Sequence, residues 1–238
     1  MCGRGASVYD RESVARFVLA EEVQAPELPL SWNVAPTQDV YVAATNTSGA
    51  RKLRALRWGL VPHWAKDPRA AARLINARAE TLAQRPAYRG LLGSHRGLAV
   101  FSGFYEWWRP HTGVKAGKQP YYFRLVSGEP LAIAALWDTW HDTEGRVLRT
   151  VSLITSAANE TMAPVHDRMP VVLAPDAWDE WLAPGPIRAP RLARLLSPAP
   201  NDRLACWPVS SAVNSPKNNG PQLVEPICLG GPPLGSWS

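Results

Sequence analysis

The chain predicts a mixed α+β fold dominated by a mainly antiparallel, barrel-like β-sheet with short flanking helices. Two observations carry that expectation. Runs of β-branched, aromatic and apolar residues recur at Leu98 to Trp107, Tyr121 to Val126, Leu131 to Trp137 and Val147 to Thr155. Turn residues separate them at Thr112-Gly113, Ser127-Gly128 and Glu144-Gly145, the punctuation of a curved sheet or barrel rather than of a helical bundle. With 238 residues and 46% apolar content, the chain is long enough for one sizeable core. One domain over residues 1–228 is expected, with 229–238 as a disordered tail, because Gly230-Gly231-Pro232-Pro233-Leu234-Gly235 lacks core-forming residues.

Taken in order, Asp10 can cap a helix reaching about Ala20, with Val14, Phe17 and Val18 on its buried face. A proline-rich connector follows, including a loop at Ser31 to Thr37. Residues 38–46 and 51–58, separated by Thr47-Ser48-Gly49-Ala50, read as a β-hairpin. Ile75 to Leu82 and Tyr88 to Leu92 read as short helical segments, and Pro170 to Leu173 as a strand. Pro175 can open a helix through Trp178 and Trp181, and Pro190 another through Leu196, with Ala183-Pro184-Gly185-Pro186 between them.

Composition narrows the function classes. No early apolar run resembles a signal peptide and no stretch approaches a membrane span, so a cytoplasmic protein is expected. Cys2, Cys206 and Cys228 are odd in number and lack metal-type spacing, which argues against a disulfide framework and a zinc site; Cys206 and Cys228 read as structural. The net charge of +6, with 21 of 26 cations arginine, suits a polyanionic partner, although GC-rich coding favours the same residues.

The second residue is the most informative. A side chain as small as that of Cys2 permits removal of Met1, leaving a terminal cysteine with an α-amine of pKa about 7.7–8.0 and a thiol of about 8.5. With an amide substrate the thiol can act as a nucleophile. With an aldehyde the amine can form an imine that the thiol closes into a thiazolidine. An accidental cysteine at this position is the competing reading.

Other polar clusters sit in apolar or turn settings. Asn33 lies in Ser31-Trp32-Asn33-Val34-Ala35-Pro36-Thr37, where a turn-forming amide is the simpler explanation. Asn76, Arg78 and Glu80 alternate in Ile75 to Glu80, as they would on an exposed helix face. Glu106 stands inside the aromatic run Phe104-Tyr105-Glu106-Trp107-Trp108; desolvation there would bring it into the general acid-base range, whereas strict alternation would point it outward. His166, bordered by Asp167 and Arg168 at the entry to a strand, is a proton-transfer candidate.

These residues fall in six ordered motifs. Met1-Cys2-Gly3-Arg4, Trp32 to Thr37, Trp58-Gly59-Leu60-Val61-Pro62, Ile75 to Thr81, Gly103 to Trp107 and His166 to Pro170 together resemble the SRAP (SOS response-associated peptidase) proteins, also called abasic-site processing proteins. The likeness spans most of residues 1–173, with a further C-terminal match from Val209 to Asn214 and from Leu223 to Ile227. It implies covalent capture of abasic sites in single-stranded DNA by Cys2 as a thiazolidine. By the same resemblance Asn76, Glu106 and His166 join Cys2 as catalytic residues. Arg4, Trp64, Arg78, Thr155 and Arg168 contact the DNA, and Asn33 matches a motif without an assigned role. No metal or organic cofactor is implied. The expected partner is single-stranded DNA containing abasic sites, with no membrane; a monomer associated with the nucleoid is expected, and replication-fork proteins are conceivable partners.

Two readings compete with crosslinking: a thiol (auto)peptidase using Cys2, and a noncovalent single-strand binder with Cys2 incidental. A binder needs no buried carboxylate with a histidine; only imine chemistry demands a free α-amine. The chain departs from the family pattern twice. Gly5 replaces a bulky apolar residue, which is expected to loosen the N-terminal strand, and Pro62-His63-Trp64 has one aromatic where two often stand, which is expected to weaken base contacts.

Overall fold

The computed structural model describes residues 3–45, 49–69, 74–109 and 118–229, and its strands sort into two sheets. The larger contains a closed barrel of five strands: β4 (Asp39–Thr45), β5 (Arg51–Trp58), β7 (Arg96–Phe101), β10 (Leu131–His141) and β11 (Val147–Ala157). Around the ring β5, β4, β7, β10 and β11 pair antiparallel, and parallel pairing of Thr150 with Arg57 and Val151 with Trp58 closes it. Closure removes the free edges that an open sheet would expose. Three short strands extend this sheet. β6 (Asn76–Arg78) and β12 (Arg168–Pro170) both add to β11, and β2 (Glu22–Val23) adds to β5.

The second sheet runs β13 (Leu204–Pro208), β9 (Gln119–Leu125), β8 (Gly103–Trp108), β1 (Gly5–Ser7) and β3 (Ser31–Val34), all antiparallel. Strand alternation explains how the two sheets share the core. One set of barrel residues, including Val40, Val42, Trp58, Phe101 and Leu153, packs with Phe104 and Phe123 of the second sheet. The alternate set, including Tyr41, Leu53, Leu98 and Leu136, packs with Val14, Val18, Trp178 and Trp181 of the helical segments.

The mixed α+β class with a barrel-like sheet is the observed one. The hairpin of β4 and β5 matches its expectation, with Thr47 and Ser48 of its turn outside the described residues, as are Thr112-Gly113 and 230–238. Asp10 caps α1 (Arg11–Phe17) by accepting the Ser13 amide at 2.7 Å. That helix ends before Ala20 because Leu19 takes a left-handed φ of 53°. α2 (Pro86–Arg89), α3 (Trp178–Leu182) and α4 (Ala189–Leu195) are short, and no helix among the described residues is long and apolar enough to cross a membrane.

Several expectations need correction. Residues 75–82 are not helical at their start: β6 forms there, followed by one 3-10 turn at Ala79–Thr81. The loop expected at Ser31 contains β3. The single strand expected from Leu98 to Trp107 is two, one in each sheet, divided at Ser102, whose amide donates to Ala6 and whose hydroxyl accepts from Val8. Gly5 does not loosen β1. A Cβ there would meet the Phe101 ring at 2.6 Å, so glycine is what lets the N-terminal strand press against the barrel.

Candidate active site

The site begins where the N-terminal strand joins β8. Gly5 pairs with Phe104, and the Tyr105 amide donates to the Arg4 carbonyl at 3.0 Å, so Arg4 lies beside the residue preceding Glu106. Cys2 itself, with Met1, lies outside the described residues. Glu106 is 3% exposed, because β8 is covered on both faces along Gly103 to Glu106; the outward-facing alternative does not hold.

His166 arrives from the other sheet. It sits in the turn between β11 and β12, with its amide bonded to Met162 and its Nδ1 accepting the Arg168 amide at 3.0 Å. A ring whose Nδ1 accepts carries its proton on Nε2 when neutral. The Asp167 carboxylate, 2.9 Å from the same Nδ1, can accept from it only when that nitrogen carries a proton, in the Nδ1–H tautomer or the imidazolium. The backbone contact has hydrogen-bond geometry and favours the tautomer with its proton on Nε2. Glu106 and His166 line one open cleft, together with Trp107, Arg109, Lys118 and residues 163–165 and 167.

The remaining candidates divide into inward and outward groups. Asn76 and Arg78 stand on β6 beside β11, Asn76 half-buried and Arg78 exposed. Arg168 makes a bidentate pair with Glu80, at 2.7 and 2.9 Å, and donates to the Thr155 carbonyl at 2.6 Å. The same guanidinium holds the Glu80 carboxyl below the usual carboxylate range. Thr155 is fully buried beneath this pair, with its hydroxyl between Ala77 and Arg168. Trp64 is 58% exposed; its turn is fixed by the His63 amide on Asp138 at 2.8 Å and by the Trp140 indole on the Ala65 carbonyl at 2.7 Å.

Arg4 turns inward. Its Nη1 donates to Asn33 Oδ1 and to the Val213 carbonyl, each at 2.7 Å, and burial holds its pKa below the usual value. Asn33, 1% exposed, uses Nδ2 to reach the Val213, Ser215 and Asn218 carbonyls at 3.3, 2.9 and 2.8 Å. The amide therefore ties β3, Arg4 and the 213–218 segment together, a role no local turn pattern reveals. Sequence reasoning also missed Arg109 and Lys118 as lining of the cleft; their places directly after β8 and directly before β9 were the available signal. Among the described residues no group of three or more His, Cys, Asp or Glu is placed to hold a metal ion. Cys206 is half-buried, with burial raising its thiol, and Cys228 is exposed.

The family model described as SOS response associated peptidase (SRAP) matches residues 1–216. This chain belongs to the SRAP family. Among SRAP relatives it is 40% identical over 229 residues to abasic site processing protein YoqW of Bacillus subtilis, covering 94% of this chain and 99% of that protein. It is 31% identical over 234 residues to abasic site processing protein YedK of Escherichia coli, covering 95% and 100%. A solved protein structure from Bacteroides thetaiotaomicron has a similar fold, at a TM-score of 0.83 with 22% identity, over 95% of this chain and all of that one.

Proposed function

We propose that this protein captures abasic sites in single-stranded DNA as a covalent crosslink through Cys2, after loss of Met1. The observation that carries the reading is the junction beside β1. A buried carboxylate, Glu106, and a histidine with its donor on Nε2 line one cleft next to the strand that leads from the N-terminus. The names of the relatives, abasic site processing proteins, supply the lesion.

The chemistry then follows in order. An abasic deoxyribose is mostly a closed hemiacetal; as the bond from C1 to the ring oxygen breaks, His166 supplies its Nε2 proton to that oxygen while the C1 hydroxyl gives its own proton to water, and the imidazole is reprotonated from solvent, leaving the open aldehyde. Glu106 takes a proton from the Cys2 ammonium, and the amine adds to the aldehyde carbon to give a carbinolamine. Loss of one water, with the hydroxyl leaving as its oxygen is protonated, gives the imine. The thiol adds to the imine carbon and its proton passes to the nitrogen, closing the thiazolidine; the net change is one water released.

Asn76 orients the reacting groups. Arg78 and Trp64, both exposed, contact a phosphate and a neighbouring base. Arg4, Thr155 and Arg168 also belong to the site, the first two as supports for the groups around them and Arg168 as a phosphate contact moderated by Glu80.

Intact mass spectrometry with and without abasic single-stranded DNA tests the reading. The expected species is the chain lacking Met1 plus the oligonucleotide minus one water, and none with Cys2→Ala. A heat-stable adduct in Cys2→Ala would sink the thiazolidine. The family description also names a peptidase, which gives a second reading with Cys2 as a thiol nucleophile. An uncleavable extension ahead of Cys2 separates them: crosslinking stops without a free α-amine, whereas thiol attack on an amide has no absolute need of it.

A further inference from the structure

The loop that carries Trp64 also presents a histidine that the proposed chemistry leaves unused. His63 is held twice by Asp138 of β10: its amide donates to Oδ2 at 2.8 Å, and its Nδ1 lies 3.0 Å from the same oxygen. Asp138 is buried, and its Oδ1 accepts the Thr139 amide at 2.8 Å, so both carboxylate oxygens are in use as acceptors. An ionised carboxylate has no proton to give, so in the neutral ring Nδ1 carries the proton and Nε2 keeps a lone pair. The His63 side chain is 64% exposed, and with Nδ1 engaged, Nε2 is the nitrogen left to solvent or a ligand.

The root of the loop gives that nitrogen a direction. Gly59 donates to the Val151 carbonyl at 2.8 Å and Val61 to the Thr150 hydroxyl at 2.9 Å, so the loop starts on β11. β6 lies further along the same strand, with Asn76 opposite Leu153 and Arg78 opposite Thr155. β10 occupies one edge of β11 over Val147 to Leu153, which leaves the other edge to β5 and β6. From Thr150 to Thr155 that edge runs about 16 Å, at 3.3 Å per residue. His63 and Trp64 therefore prolong the row that Arg78 and Asn76 begin.

We propose that His63 is a proton-dependent phosphate contact for the DNA strand: with Nδ1–H fixed on Asp138, a proton taken up at Nε2 lets that nitrogen donate to a phosphodiester oxygen beside the base stacked on Trp64. The ligand class is the backbone of single-stranded DNA, and the proposal rests on the single-strand reading above. The neutral ring would turn a lone pair toward the anion, whereas the imidazolium offers a donor and a charge. Among the described residues, the titratable groups around the ring are Asp138 and, just ahead of β7, His95; its own loop adds Lys66 and the Asp67–Arg69 pair at 2.8 Å. Burial holds the His95 pKa below its usual value, so as pH falls the Asp138 charge serves His63 first.

The test uses the full chain and a single-stranded oligonucleotide carrying tetrahydrofuran, an abasic sugar mimic without the aldehyde. The slope of log K against log salt is compared for the parent and His63→Gln at pH 5.5 and 8.5, on either side of the ordinary imidazole value of about 6.5. At pH 5.5 the parent slope should be steeper by about 0.7, the worth of one single-strand phosphate contact, and at pH 8.5 the two should coincide. Both proteins keep Cys2 and His166, so the titration of those groups cancels in the comparison. His63→Lys, whose charge is fixed, should show the steep slope at both pH values, which a residue that only holds the turn would not give. Methylphosphonate substitution, one linkage at a time at pH 5.5, should reveal one position where the parent loses affinity and His63→Gln does not. Equal slopes at pH 5.5, or a loss of affinity in His63→Gln that is the same at both pH values, would overturn the contact. A deficit that grows at pH 8.5 would make the ring an acceptor for a base edge and overturn it too, as would a parent that fails to bind the oligonucleotide at pH 5.5. Crosslinking of an authentic abasic oligonucleotide by the parent is measured alongside. Its failure would count against covalent capture while leaving the salt slopes to decide the role of His63.

Discussion

Replacing Asn33 with alanine is the sharpest test of how this site is held together. The amide is buried and fully used: Nδ2 has short bonds to Ser215 and Asn218 and a longer one to Val213, and Oδ1 accepts from the Arg4 guanidinium. Two good neutral bonds at about 1 kcal/mol each, plus a charge-assisted one at about 1.5–3 kcal/mol, put the loss at about 3.5–5 kcal/mol. For a chain of this size, about 2–4 °C per kcal/mol converts that into a fall in Tm of about 7–20 °C. Hydrogen exchange localises the effect. The amides of 213–218 and the Tyr105 amide, which rests on the Arg4 carbonyl, should both exchange faster in Asn33→Ala. Asn33→Asp keeps an acceptor for Arg4 but turns lone pairs toward the carbonyls, so 213–218 should loosen while Tyr105 stays protected. A loss in Asn33→Ala below about 1 kcal/mol, the worth of a single neutral bond, with unchanged exchange at both places, would refute the clamp.

How much of this was legible beforehand depends on how local each signal is. The β4–β5 hairpin and the Asp10 cap were readable because alternation, turn residues and the cap's bond to Ser13 are contained within a few residues. β6 was not, since three residues become a strand only through parallel pairing with β11, far along the chain. The division at Ser102 was hidden for a related reason. β-propensity runs unbroken from Leu98 to Trp107, and only the contacts of Ser102 with Ala6 and Val8 send the two halves into different sheets. At the site, residue types and motif order marked Glu106 and His166 from the sequence. Their meeting in one cleft, the burial of Arg4 and Thr155, and the Glu80 partner of Arg168 depend on tertiary packing, and Gly5 showed its purpose only once Phe101 was seen against it.

The remaining predictions concern proton transfer and charge. Glu106→Gln should slow crosslink formation and move its optimum to higher pH, where the Cys2 amine loses its proton without help; a slow variant with an unshifted optimum would point to a packing role. His166→Ala should react slowly with a closed abasic sugar and release a preformed crosslink more slowly still, with unchanged rates returning the residue to a structural role. Arg78→Ala should lower the salt slope by about 0.7, and Arg168→Ala by less, because Glu80 already neutralises that guanidinium. The pair of Glu80 with Arg168 also predicts a pH dependence. Arg168 depresses the Glu80 pKa in the folded chain, so the pair stabilises the fold above the unfolded carboxylate value of about 4.3 and is lost as pH falls through the lower folded value. Glu80 is 52% exposed, and screening by water limits the contribution to under about 1 kcal/mol. Glu80→Gln should therefore melt slightly below the parent at neutral pH, and the gap should close in acid as the parent's own carboxylate is protonated. At neutral pH the same variant releases Arg168 from its partner and should steepen the salt dependence of DNA binding. A melting gap that stays unchanged as pH falls progressively below the unfolded carboxylate value of about 4.3 would show that the pair does not link Glu80 to stability.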